Sequence, residues 1–439
     1  MGTGPAWPKD ATELAESTHG SRSLALRSAL RSDEKIRTSP PQPPQPDQDL
    51  LEHDRVPERN RVSTVTSPPL APLEGAASAF DPRLESLRGL AALLVCVHHG
   101  MSVFAGNVPI DAMNALLFAF NSAAAVIFFF ALSGYVLGRA LERDGNLLPY
   151  LARRRLFRLL PPFVVVVLFT FACERLFRIE PAPSGLMPGF QRMFWPAPTW
   201  DALWDNLLLR SFTVNGPTWT LLLELVGAVM LPFVVAAHGK VGQRWRWATF
   251  AAISTLLAIG PFHMLLWFYA GYFLANEIGT FLAGQRWLAA AMFVSGVIGL
   301  GTAGTNSEFY AVGIVIPSAL SAALMIGAVA ASRELLLWTT MAPLRFLGRI
   351  SYSLYLVHWP TFYVCTLLAV ACRPIVPTHS WGNLIVMVTS AIVAIGLAAL
   401  SYRFVEAPSI RAGKLVANAL ERILARTWAR ISRQRAEVG

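Results

Sequence analysis

The sequence predicts an all-α, polytopic membrane helix bundle of about ten transmembrane helices, preceded by a disordered N-terminal tail. Three observations predict it. Charged residues make up only 15% of the 439-residue chain against 54% hydrophobic, with a mean hydropathy of +0.46, whereas a water-soluble protein carries about 25% charged residues. Apolar stretches of membrane-spanning length follow one another from position 88 to position 404. The first 80 residues contain no such stretch. A soluble enzyme is excluded on composition. Nucleic acid is no partner for the net charge of +10, because the basic residues are scattered between apolar runs.

Residues 1–80 are rich in Pro, Ser and Gln, with the run Pro40-Pro41-Gln42-Pro43-Pro44-Gln45-Pro46 near the middle. They hold 9 basic and 11 acidic residues, a net of −2. Such a composition cannot bury enough apolar surface to offset chain ordering. No apolar core follows Met1, so no signal peptide is expected. Residues 81–439 carry the other 28 basic and 16 acidic residues. Their apolar stretches place helices at 88–106, 115–138, 158–174, 217–237, 248–262, 264–282, 287–303, 310–331, 350–371 and 382–404. The gap at 262–264 is so tight that its two helices read equally as one kinked unit.

The loops set the orientation. Arg139, Arg143, Arg153, Arg154, Arg155 and Arg158 crowd one connection, while 107–114 and 304–309 have no Lys or Arg. By the positive-inside rule both termini face the cytoplasm. The membrane domain is read as 81–409. From 410 to 439, Leu420, Ile423, Leu424 and Ile431 lie near one helical face and Arg422, Arg426, Arg430 and Arg433 near another. This is a basic amphipathic tail suited to an anionic leaflet. Cys96, Cys173, Cys365 and Cys372 sit in or beside apolar segments without metal-type spacing and read as buried thiols; no metal site is expected.

Ionisable groups inside an apolar bundle are costly, so each is a functional candidate. His99 stands 11 residues after Arg88, about 16 Å along a helix. Arg88 can thus sit at the membrane face while His99 reaches the interior, where an imidazole can act as a base. Glu224 lies at a similar depth in its helix, so the two could meet, the carboxylate orienting the imidazole. Tyr352, Tyr355 and His358 lie within two turns of the ninth helix, with Tyr352 and Tyr355 on one face, and read as the lining of a polar cavity. Arg154, Arg155 and Arg158 suit either phosphate recognition or membrane anchoring. Trp195, Trp200 and Trp204 read as interfacial belt residues before sugar-stacking ones.

Five stretches then form an ordered pattern. They are Arg83-Leu84-Glu85-Ser86-Leu87-Arg88-Gly89-Leu90-Ala91 with His99 following; Phe128-Phe129-Phe130-Ala131-Leu132-Ser133-Gly134-Tyr135; Arg154-Arg155-Leu156-Phe157-Arg158 leading to Pro161; Pro217-Thr218-Trp219-Thr220-Leu221-Leu222-Leu223-Glu224; and Leu347-Gly348-Arg349-Ile350-Ser351-Tyr352-Ser353-Leu354-Tyr355-Leu356-Val357-His358-Trp359-Pro360, with Glu406-Ala407-Pro408 beyond. The pattern resembles the membrane-bound acyltransferase-3 family of bacterial saccharide O-acyltransferases over roughly 80–412, although 240–340 has no matching motif. The resemblance implies acyl-CoA, usually acetyl-CoA, as co-substrate with no bound cofactor. It implies an envelope saccharide as acceptor, polysaccharide-assembly proteins as partners, and the bacterial inner membrane as location. On these motifs His99, with Glu224 and Arg88, is the catalytic group. Arg155, Arg158, Ser133 and Tyr135 bind the donor, and Trp219, Tyr352, Tyr355 and His358 line the site. Only residues 405–439 follow the last predicted helix, so the esterase-like domain that some relatives append is expected to be missing. A direct attack of the sugar hydroxyl on the thioester is the expected mechanism, with an acyl-enzyme on His99 or Ser133 as the alternative. A secondary transporter shares the broken helices and mid-membrane charges and is the rival reading.

Overall fold

In the computed structural model, residues 81–104, 121–144, 150, 155–177, 186, 188–194, 196–303, 311–372 and 380–438 are described. The expectations for 1–80, Arg153, Arg154 and Trp195 lie outside them. The described residues form helices and turns. Numbered here, the helices are α1 Pro82–Phe104, α2 Ser122–Asp144, α3 Phe157–Leu176, α4 Trp200–Leu207, α5 Trp219–Lys240, α6 Arg246–Ile259, α7 Leu265–Phe281, α8 Arg286–Ala303, α9 Val312–Ala331, α10 Ala342–Ala371, α11 Ser380–Ser401 and α12 Ala407–Val438.

Helix starts follow local chemistry. Asp81 caps α1: its Oδ1 accepts from Arg83 N at 2.9 Å, and Pro82 takes the first helical position, where a missing N–H costs nothing. The helix therefore begins six residues before the expected Arg88, and the whole first motif is helical. Asn121 caps α2 by accepting from Ala124 N at 3.1 Å. Pro343 near the start of α10 brings Gly348 and Arg349 inside that helix, eight residues ahead of the expected start.

Eight helices among the described residues are long and apolar enough to cross a membrane, against about ten expected. The shortfall is α6 and α7. A turn at Gly260–Met264 divides their apolar run into 14 and 17 residues, roughly 21 and 25 Å at 1.5 Å per residue, short of the ~30 Å hydrocarbon core. Yet α7 is the most enclosed element: Leu265 to Phe273 are all buried. It packs between α2 and α9, while α1 packs along α10.

Two crossings bring backbones into direct contact. A Cβ on Gly89 of α1 would lie 2.3 Å from Gly348 N of α10, and one on Gly134 of α2 would lie 1.9 Å from Phe268 O of α7. Only glycine allows approach this close, and in lipid such packing replaces the hydrophobic drive between helices. Two apolar cores result. One joins α1, α2, α5, α7 and α9 around Phe130, Trp267 and Phe268. The other joins α1, α3, α10 and α11 around Phe163, Phe362 and Tyr363. Phe129 packs against both.

α11 passes through a π-helical turn, Tyr402–Glu406, into α12. The tail beyond 410 is helical, as its periodicity predicts. Cys96 and Cys173 are buried, but Cys372 is exposed because it lies just past the last turn of α10.

Candidate active site

A cavity of about 130 Å³ opens where α1, α2, α3, α5 and α10 converge. Its lining is apolar on one wall (Val126, Phe129, Phe130, Leu132, Leu137) and ionic on another (Arg88, Arg155, Arg158, Glu224). Three guanidiniums against one carboxylate leave the lining positive, a field suited to an anionic ligand.

Each ionic group is held from a different helix. Arg88 donates through Nε to Ser351 Oγ and through Nη2 to Gly348 O, both at 2.9 Å. The Gly89–Gly348 contact makes those short reaches geometrically available. Arg155 is buried, and its Nη1 lies 3.4 Å from Glu224 Oε1, which also accepts from Ser133 Oγ at 2.9 Å. The Nε of Arg155 is buried with no hydrogen-bond partner among the described residues. A buried donor left unmade costs about 1–3 kcal/mol, so a ligand accepting from it would recover that energy. Arg158 Nε stands 3.7 Å from Glu406 Oε1, and Glu406 Oε2 accepts from Ser353 Oγ at 2.7 Å.

Outside the lining, α1 and α10 bring together a pair of imidazoles. His99 Nδ1 and His358 Nε2 are 2.9 Å apart, and His358 Nδ1 is 3.2 Å from Leu354 O in the preceding turn of α10. The Trp359 ring stands edge-on to His99 at 5.4 Å between centroids. Tyr355 links this pair to the cavity. It lines the cavity, its ring centroid is 5.9 Å from that of His358, and its hydroxyl donates to Pro217 O at 2.9 Å and meets Thr220 Oγ1 at 3.0 Å.

The predicted residues divide accordingly. Arg88, Ser133, Arg155, Arg158, Glu224, Tyr352 and Tyr355 all line the cavity. His99 and His358 meet each other. The expected meeting of His99 with Glu224 is not made: Glu224 turns to Ser133 and Arg155, and His358 takes the place beside His99. Equal spacing along two helices does not settle which faces meet: α10 packs along α1 and supplies His358 to His99, while α2 and the turn leading into α3 supply Ser133 and Arg155 to Glu224. Tyr135 is not part of the lining. It is two residues from Ser133, about 200° round the helix, and packs into the core with the Arg139 guanidinium over its ring. Trp219 likewise lies outside the lining, edge-on to Phe130. Trp200 and Trp204 are mostly exposed.

Sequence reasoning assigned no role to Glu406, which is fully buried beside Arg158. A signal existed: it is the sole acidic residue between 335 and 420, and a carboxylate alone at the end of an apolar helix needs a cation. Arg83 belongs to the first motif yet does not line the cavity. Its guanidinium donates to Val329 O, Ser332 O and Leu335 O, closing the C-terminal end of α9. This is a structural cap.

The chain is 26% identical over 211 residues to a protein of Shigella phage Sf6 described as an O-acetyl transferase, a match covering 45% of this chain and 61% of that relative. The chain thus spans less than two thirds of that relative's length. No solved structure matches. A family model described as an acyltransferase domain matches residues 81–403, which takes in every helix that lines the cavity and both imidazoles. The chain belongs to the acyltransferase-3 family.

Proposed function

We propose that this protein is an integral-membrane O-acyltransferase that moves an acetyl or similar small acyl group from acyl-CoA to a hydroxyl of an envelope saccharide. The observation that carries the reading is a convergence of helices whose cavity is lined by a positive, partly unsatisfied arginine cluster, with an imidazole pair reached from it through Tyr355. The phage O-acetyl transferase supports the same reaction class. In this reading Arg155, Arg158 and Arg88 hold the phosphate-bearing donor, with fork geometry suited to phosphate oxygens. The apolar wall of Val126 and Phe129 receives the acyl end. His99 takes the proton of the acceptor hydroxyl; the oxygen bonds to the thioester carbonyl carbon, the C–S bond breaks, and the CoA thiolate leaves and regains a proton from His99. Holding both substrates in one place supplies most of the orientation the step needs.

The basic connections and basic C-terminal helix support an inner membrane with both termini cytoplasmic, the bilayer being the protein's first partner. Polysaccharide-assembly proteins complete the set of partners.

The test is transfer of radiolabelled acetyl from acetyl-CoA to envelope polysaccharide in membranes carrying wild type or His99→Ala. Labelled polysaccharide from wild type alone is the expected result. Equal labelling by both removes His99 from the mechanism. Saccharide movement across vesicles without any acyl-CoA turnover, acetyl or succinyl, replaces the enzyme with a transporter.

A further inference from the structure

Resting on the acyl-transfer reading, we infer that His358 is a positioning residue that holds His99 in the tautomer whose Nε2 is unprotonated, leaving that nitrogen free to receive the acceptor's proton. The argument is one of hydrogen-bond parity. Neutral imidazole has one N–H and one lone pair. Leu354 O, a carbonyl, can only accept, so His358 Nδ1 at 3.2 Å carries the hydrogen. The Nε2 of His358 is then a lone pair. His99 Nδ1, 2.9 Å away, must donate to it, and the remaining nitrogen of His99 has a lone pair. Each alternative sets two acceptors face to face. A proton on His99 Nε2 instead of Nδ1 leaves two lone pairs 2.9 Å apart, and reversing His358 to relieve this points its Nδ1 lone pair at Leu354 O.

The surroundings favour this arrangement over a rotated one. His358 is fully buried, with the Phe362 ring edge-on at 5.7 Å and Tyr355 at 5.9 Å. The Tyr355 hydroxyl hydrogen is given to Pro217 O. The backbone turn of α10 thereby dictates the proton of His358, and His358 dictates that of His99. When His99 takes the acceptor's proton on Nε2, its Nδ1–H still donates to His358, so His358 stays neutral and no second proton moves.

The experiment uses the full chain in lipid nanodiscs with ¹⁵N-labelled histidine. NMR reports which nitrogen of His99 is protonated, the resonance being assigned by its loss in His99→Gln. Wild type is expected to show His99 protonated on Nδ1. His358→Phe, which removes the acceptor, is expected to mix the tautomers. It should lower kcat by about 10²-fold, the worth of a positioned base, with KM for acetyl-CoA within about twofold. His358→Gln, whose amide oxygen can accept the same bond, is expected to keep the tautomer and restore kcat to within about tenfold of wild type. Should the Phe variant not fold, the wild-type spectrum and the Gln variant decide. A wild-type His99 protonated on Nε2 overturns the inference, as does an unchanged tautomer and kcat in His358→Phe. Equal loss in the Gln and Phe variants, both folded, also overturns it. Wild type with the stated tautomer but no acyl transfer overturns the proposed function and leaves the positioning role intact.

Discussion

Helices α7 and α9 and the cavity-forming set of α1, α2, α3, α5 and α10 are built from the same apolar residues, yet they handle buried polar groups in opposite ways. In α7 and α9 the buried polar pair is closed: Trp267 Nε1 donates to Ser318 Oγ at 3.0 Å, and Ser318 returns its hydrogen to its own helix at Ile314 O. Around the cavity the polar groups come from five helices, four of those groups carry full charges, and Arg155 Nε has no hydrogen-bond partner among the described residues. Closed polar groups specify packing; open ones facing a cavity specify a ligand. The lesson applies within a single motif. Arg83 and Arg88 share α1, but Arg83 is spent on the end of α9 while Arg88 reaches the cavity wall.

The sharpest break of this division is at the seam between the halves. Gly134→Ala places a methyl 1.9 Å from Phe268 O, and backbone cannot move aside cheaply. We expect a cost of about 3 kcal/mol or more, read as loss of folded, monodisperse protein in detergent and a lower Tm. Gly396→Ala, where nothing lies within 4 Å, is the control and should leave Tm level or slightly raised.

Within the cavity half, function and stability are expected to separate. His99→Ala should lower acyl transfer by about 10²–10⁴-fold with Tm nearly unchanged, since His99 is only half-buried. An equal fall in Tm would make it a packing residue. Arg155→Lys keeps the charge but loses the fork; KM for acyl-CoA should rise about tenfold, the scale of one charge-assisted hydrogen bond, with kcat little altered. A fall in kcat alone would move Arg155 from donor binding to chemistry.

Glu406→Gln tests the residue that the motif left without a role. The amide keeps the Ser353 bond but removes the charge beside Arg158. We expect a moderate loss of Tm and a severalfold rise in KM for acyl-CoA as Arg158 loses its anchor. The smallest effect is expected at Trp200 and Trp204, exposed at 62% and 60%. Their alanine variants should change stability by no more than about 0.5 kcal/mol, and a large fall in saccharide transfer would instead identify them as acceptor contacts.

The sequence by itself determined the membrane bundle, because charge scarcity and long apolar runs leave no other way to satisfy the backbone. It also determined which residues are candidates: an arginine, a histidine or a glutamate inside such a run is costly enough to stand out one by one. Spacing along one helix was legible too, as in the separation of Arg88 from His99. What only the tertiary structure decided is which helix face meets which. Matched depth suggested Glu224 for His99, whereas the Gly89–Gly348 crossing seats α10 against α1 and makes His358 the partner. The same rotation about a helix axis puts Ser133 on the cavity and Tyr135 in the core, though they are two residues apart. Periodicity gives a residue's angle relative to its own helix; the angle of that helix relative to its neighbours comes from packing, and hydrogen-bonded partners are chosen there.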